Sequence, residues 1–206
     1  MRVEELFDPK AFDSIQRTVQ EAELRTSGEI VPMVVPRSDA YTGVRAVTAG
    51  LLAFAAGAVL LVLPVAHWLW LPPLQIITFV VAYALAGRPS LLRQLIPGRI
   101  RAAAVAQAAR LAFLERGVME TRDRTGILIY ISLLEHRVEI LADRGIDQRV
   151  EDGTWDGVVG TILTGIRERR AEEGLTEAIR HCGEILAATF PPRPDDTNEL
   201  PNQLVT

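Results

Sequence analysis

Residues 46–87 read AVTAGLLAFAAGAVLLVLPVAHWLWLPPLQIITFVVAYALAG and contain no Asp, Glu, Lys or Arg. At roughly 40 residues the run is too long for one membrane span and suits two spans of ~20 residues with a tight turn. Pro64, His67, Trp68, Trp70, Pro72 and Pro73 mark that turn, combining helix breakers with rings that favour the headgroup zone. The spans are expected at about residues 44–65 and 69–86. The prolines leave the second short unless the bilayer thins or its first residues stay interfacial. A buried helical pair in a soluble core is the alternative, and it would need a far larger protein around it.

The polar sequence on either side, about 160 residues, is enough for one domain with a real core. The expected division is residues 1–42 and 89–190 as two parts of one domain, 43–88 as a transmembrane hairpin, and 191–206 as a flexible tail. Residues 1–13 hold no apolar signal core, so the hairpin is expected to be the first membrane signal. Arg37 and Arg45 precede it and Arg88, Arg93, Arg99 and Arg101 follow it, with none in the turn. Arginine on both outer flanks predicts a multi-pass protein of the inner (plasma) membrane with both polar pieces facing the cytoplasm. The arginines after the hairpin would lie near the headgroups and attract anionic lipid.

The formal charge of -4 and the absence of a concentrated basic face argue against nucleic acid as a partner. The lipid bilayer and other membrane proteins are the expected partners. One cysteine, Cys182, excludes an intrachain disulfide and a cysteine-based zinc site.

Asp8-Pro9 starts a helix expected to run to about Thr26, with Phe12, Ile15, Val19 and Ala22 as its apolar stripe. Residues 29–35 (EIVPMVV) read as a strand covered on both faces, although Pro32 favours an edge or a bulge. Residues 90–120 read as a long helix broken at Pro97-Gly98, with Ala104, Ala108, Leu111, Leu114 and Val118 expected inside. Residues 125–132 (TGILIYIS) and 137–142 form a strand pair. A loop over 143–153 precedes an amphipathic helix from Trp155 to Ile166. A charged break at 168–174 then leads to a last helix over 175–189, burying Leu175, Ile179, Cys182 and Leu186. This order predicts an α/β fold: a small mixed central sheet with helices on both faces, interrupted after its first strand by the hairpin.

Nucleotide-binding glycine loops, a GxSxG elbow, HExxH and CxxC are all absent from the sequence. His181 beside Cys182 does not make a nucleophilic pair, because consecutive helix residues point apart. His136 reads as a solvated turn residue, and His67 lies in the membrane turn. Glu29, opening a buried strand, must either reach water or find arginine or backbone donors, with Arg137 or Arg144 as candidates. Carboxylates at strand ends remain, and several converging with carbonyls would bind Ca2+ or Mg2+. The competing view is that they cap helices and close turns.

The segments TSGEIVPMVVPRSD and RTGILIYISLLEHRVEILADRGID, followed by a tryptophan-led helix and GLTEAI, resemble the TPM domain of bacterial envelope proteins and thylakoid photosystem-repair factors. The resemblance covers residues 7–40 and 100–190. It implies an α/β/α domain, a calcium-binding tendency in some members and weak acid phosphatase activity in some. Gly145 matches the family's glycine-rich turn, Asp152 the acidic position seven residues on, and Asp123 an acidic position before the second strand. With Asp39 placed by position only, Asp39, Asp123 and Asp152 are the candidate metal site. The family's usual signal peptide is not matched, so its compartment is not carried over. The expected function is a non-enzymatic interaction or membrane-complex assembly and maintenance factor. The alternative is a metal-assisted phosphomonoesterase resembling acid phosphatases, using a cation on Asp123 and Asp152.

Overall fold

The apolar run that opens the reading folds as two helices. The computed structural model describes residues 3–62, 68–151, 153–193 and 198–206. It divides into two units, Asp39–Arg101 and the remainder, Met1–Ser38 with Ala102–Thr206.

In the remainder, Asp8 caps α1 (Pro9–Glu23), its Oδ1 accepting from the Ala11 amide at 2.8 Å. β1 (Glu29–Val35) pairs in parallel with β2 (Gly126–Ser132), and β2 pairs antiparallel with β3 (Arg137–Ala142). The sheet order is β1-β2-β3. The strand before the apolar run therefore hydrogen-bonds to the strand after it. β2 is buried along its whole length, because both of its faces are covered. On one side Ile30, Val34, Ile127, Ile129 and Ile131 pack with α1, α7 (Asp156–Arg167) and α8 (Ala171–Thr189). On the other side Val31, Leu128 and Tyr130 pack with Val105, Ala109 and Ala112 of α5 (Gly98–Glu115). The molecule is thus a mixed α/β fold with helices on both faces of a three-stranded sheet.

Pro32 is tolerated because even-numbered residues of β1 face its outer edge. Val34 N donates to Val205 O at 2.8 Å, and Val205 N donates to Pro32 O at 3.0 Å. Proline lacks only a donor there, and its carbonyl is used. Residues 198–206 thus lie along β1, with Val205 bridged to Met33 in parallel.

Several local expectations need correction. The long helix does break at Pro97-Gly98, but α5 buries Val105, Ala109 and Ala112 while Leu111 and Leu114 are exposed. Small side chains let a helix backbone approach a sheet closely, so here size outranks hydrophobicity. Val118 is buried, though on a 3-10 turn after Gly117, whose φ of 65° ends α5. The loop at 143–153 contains a short helix, α6 (Arg144–Asp147), with Asp143 as its N-cap. α8 starts at Ala171, because Glu172 and Glu173 suit the positive end of a helix dipole and the break shortens to Glu168–Arg170.

In the unit Asp39–Arg101, α2 (Thr42–Val62) and α3 (Leu71–Ala86) are antiparallel neighbours. Pro72 and Pro73 fall in the first turn of α3, where their missing amides cost nothing, and a 3-10 turn at Trp68–Trp70 leads into it. The expected turn residues Pro64 and His67 lie outside the described residues. Ala49, Ala53 and Gly57 on α2 and Ala82 and Ala86 on α3 are the buried positions, a small-residue seam of the kind that joins helices in lipid. Thr42–Val62 and, with the 3-10 turn included, Trp68–Ala86 are long and apolar enough to cross a membrane, and they suggest membrane association by length and composition. α4 (Pro89–Leu95) follows, with Leu92 and Ile96 buried.

Candidate functional site

The outer edge of β1 would present unpaired amides to water, and the residues that cover it build a polar cleft. Ile30 N donates to Glu23 Oε1 at 2.9 Å. Asn202 Nδ2 donates to Glu23 Oε2. Glu29 Oε1 accepts from the Glu199 amide at 3.1 Å, and Oε2 lies 3.1 Å from the Asn198 amide nitrogen when that nitrogen is turned toward it. Glu29 is buried and meets donors rather than reaching water. These donors come from the chain terminus; Arg137 stands at the other end of the sheet, opposite Ser132. The cleft encloses about 500 Å3 and is lined by Glu23, Glu29, Thr26, Arg193, Asn198 and Asn202 among others.

Burial pushes the Glu23 carboxyl up to about 8; the Ile30 amide opposes this by favouring the charged form, and the nearby Glu29 charge adds to it. Glu23 therefore carries a proton through much of the neutral range beside a second carboxylate. Such a pair can donate and accept protons, and it joins the terminus to β1. Because the folded value lies above the unfolded one, the native state holds the extra proton. This contribution to stability is complete below about pH 4.5 and is lost as pH rises toward 8. Thermal melts from pH 5 to 8.5 should show Glu23→Gln losing the Glu23 part of this decline, on the order of 4 kcal/mol. An unchanged slope in the variant would show that Glu23 is not the group that titrates.

β1 and β2 are parallel, so Asp39, following β1, and Asp123, preceding β2, leave from opposite ends of that pair. Asp39 is exposed, and its Oδ1 accepts from the Tyr41 amide at 2.6 Å, closing a turn. Asp123 forms an ion pair with Arg193. Asp152 lies outside the described residues. Among the described residues no three His, Cys, Asp or Glu side chains are grouped as metal ligands. Gly145 sits against the chain at Asp123, where a Cβ would come within 2.5 Å of the Asp123 carbonyl and 2.6 Å of the Arg124 carbonyl. Beside it Asp143 is 5% exposed; its Oδ1 accepts from Arg144 N at 2.7 Å and its Oδ2 lies 3.8 Å from the exposed Arg124 guanidinium.

Sequence reasoning missed a second network at the opposite end of β1 and β2. Ser38 Oγ donates to Ser132 Oγ at 2.9 Å, Ser132 Oγ donates to Glu135 Oε2, and Ser38 N donates to Glu135 Oε1 at 3.1 Å. Ser132 and Glu135 are buried. The network fastens the β2–β3 turn to the chain leaving β1. Its only sequence signal is the pairing of polar residues with the ends of apolar runs. Cys182 is buried among core residues, and burial pushes its thiol up to about 12, while His181 is exposed. The two do not act as a nucleophilic pair.

The family model described as TPM domain matches residues 97–185. No curated protein matches the chain. Among solved structures it is similar to the NMR structure of the BA42 protein from the psychrophilic bacterium Bizionia argentinensis, with 21% identity and a TM-score of 0.63. That similarity covers 99% of this chain and 97% of the other, and it speaks for the fold. The matched segment holds α5, β2, β3, α6, α7 and most of α8, while α1 and β1, before the apolar run, complete the same sheet and its helical layer. Residues 97–185 of the chain thus match the TPM domain, and the fold as a whole is similar to that of BA42.

Proposed function

We propose that the chain is a multi-pass protein of the inner membrane whose hairpin holds a cytoplasmic TPM domain, and that it serves as a non-enzymatic interaction or assembly factor for other membrane proteins. The observation that carries the membrane part is the outward face of α2 and α3. Leu51, Phe54, Leu61, Ile76, Ile77 and Val80 are exposed, and only 17% and 11% of the two apolar windows are buried. A core helix of a soluble protein would bury such side chains, and an exposed apolar surface of this extent wants lipid. The pairing of β1 with β2 supports an even number of crossings, since both ends of the hairpin must reach one sheet. The flanking arginines favour the cytoplasmic side.

The test uses a Cys182→Ala background with single cysteines replacing Glu4, Leu69 or Glu177, which are all exposed. In intact cells an impermeant maleimide should label the cysteine at position 69 and spare those at 4 and 177. The reverse pattern would overturn the orientation, and recovery of the protein in the soluble fraction after alkaline extraction would overturn the membrane reading. For the interaction role, phosphomonoester hydrolysis by the purified protein with Ca2+ or Mg2+ should not depend on Asp123. Hydrolysis lost in Asp123→Asn would replace this role with the phosphomonoesterase.

A further inference from the structure

After Ala86 the chain turns at Gly87-Arg88-Pro89, and α4 comes back beside the hairpin. Between α2, α3 and α4 this leaves a groove of about 490 Å3, a size that suits a bound small molecule. Its wall includes Leu52, Ile77, Val81, Leu85, Leu91 and Leu95. Thr48 also lines it, and Arg45 lies one helical turn before Thr48 on the same face of α2.

Arg45 is held where a solvated arginine would not need to be. Its guanidinium stacks 4.1 Å from the Tyr83 ring centroid, and Nη2 donates to Tyr83 O at 3.2 Å. Its Nε is buried without a hydrogen-bond partner among the described residues. Gly87 makes the space, since a Cβ there would come within 2.9 Å of Nη2. Arg88, the next residue, is exposed and three positions before Leu91 of the groove wall. Charge is segregated to match: the unit Asp39–Arg101 has five arginines and Asp39 as its one acid, although the whole chain carries -4.

An apolar wall with Arg45 three residues before Thr48 of its lining, Arg88 three residues before Leu91, and few carboxylates nearby fits an amphiphile with an anionic head. We propose that this groove binds an anionic phospholipid, its acyl chain along the leucine wall and its phosphate at Arg45 and Arg88. The proposal rests on the membrane reading above. It differs from general lipid solvation in assigning a place and a headgroup selectivity, since basic pockets between spanning helices select anionic headgroups. An uncharged lipid would fill the wall equally well and gain nothing at the arginines.

The test is native mass spectrometry of the delipidated full chain in detergent, titrated with dioleoylphosphatidylglycerol or dioleoylphosphatidylcholine. The first phosphatidylglycerol should bind at least about tenfold more tightly than phosphatidylcholine. Arg88→Gln should weaken phosphatidylglycerol about fivefold and leave phosphatidylcholine unchanged. Val81→Trp, filling the wall, should weaken both. Arg45→Gln removes the Tyr83 stack as well and is a supplementary variant; Arg88, an exposed side chain, decides the matter. Equal affinity for the two lipids, or no effect of Arg88→Gln, overturns the proposal, as does a dimer that Val81→Trp abolishes, which would make a second copy the occupant. Alkaline extraction separates this failure from failure of the membrane reading, since a protein that stays in the membrane yet binds both lipids alike refutes the groove alone.

Discussion

Gly126→Ala should unfold the domain or come close to it. Gly126 opens β2, opposite Glu29 of β1, and its carbonyl accepts from Asp143 N at 2.9 Å. A Cβ there would lie 2.1 Å from the Val118 carbonyl oxygen and 2.8 Å from Val118 Cγ1. The first of these is backbone in a tight turn, so it cannot swing aside as a flexible side chain would. Overpacking in a well-filled core costs about 1 to 3 kcal/mol, and a backbone clash at a strand end lies at or above the top of that range. Against a total stability of about 5 to 15 kcal/mol this is a large fraction. Urea denaturation of the detergent-solubilised chain should show the loss, with Gly160→Ala as its control. Gly160 lies within α7, and no described residue comes within 4 Å of its absent Cβ, so alanine there should be neutral or stabilise by up to about 1 kcal/mol. Wild-type stability in Gly126→Ala would refute the close approach of the Val118 turn to β2.

Leu51→Arg with Phe54→Arg should release the chain from the membrane or prevent its insertion. Both positions lie near the middle of α2, and the side chains are 66% and 71% exposed. If they face lipid, each arginine replaces a favourable insertion term with an unfavourable one, about 3 kcal/mol or more per site at mid-span. If they face water, exposed substitutions of this kind change stability by only about 0.5 kcal/mol and solubility improves. The two surroundings therefore predict opposite results in one fractionation experiment. A double variant that remains in the membrane after alkaline extraction would overturn the spanning assignment for α2.

Much of this architecture was legible because it depends on long runs. The uncharged stretch 46–87, the strand-like 29–35 and 126–132, and the amphipathic spacing from Trp155 to Ile166 each carry many residues that agree with one another. That β1 must pair across the hairpin followed from the element order, and the register Glu29 with Gly126 through Val35 with Ser132 realises it. Where a few residues decided the outcome, the sequence was less informative. The buried face of α5 was misjudged because apolarity points to Leu111 and Leu114, whereas close approach to the sheet selects Val105, Ala109 and Ala112. The start of α8 was misjudged because a run of charges looks like a break, although two of its glutamates suit a helix N-terminus.

The candidate sites divide along the same line. Strand-end carboxylates were visible as residue types, but which of them share an end depends on strand direction. A parallel β1 and β2 send Asp39 and Asp123 from opposite ends. Glu23 lies off the apolar stripe of α1, and only the Ile30 amide on the sheet edge and the returning segment with Asn202 make it a buried acid. By itself the sequence determined the fold class, the position of the hairpin and the strands, since periodicity and length are local properties that survive without a partner. Tertiary structure alone decided the strand directions, the covering of β1 by residues 198–206 and the raised Glu23 carboxyl. Each of these depends on which distant groups meet, and burial and hydrogen bonding act only once they have met.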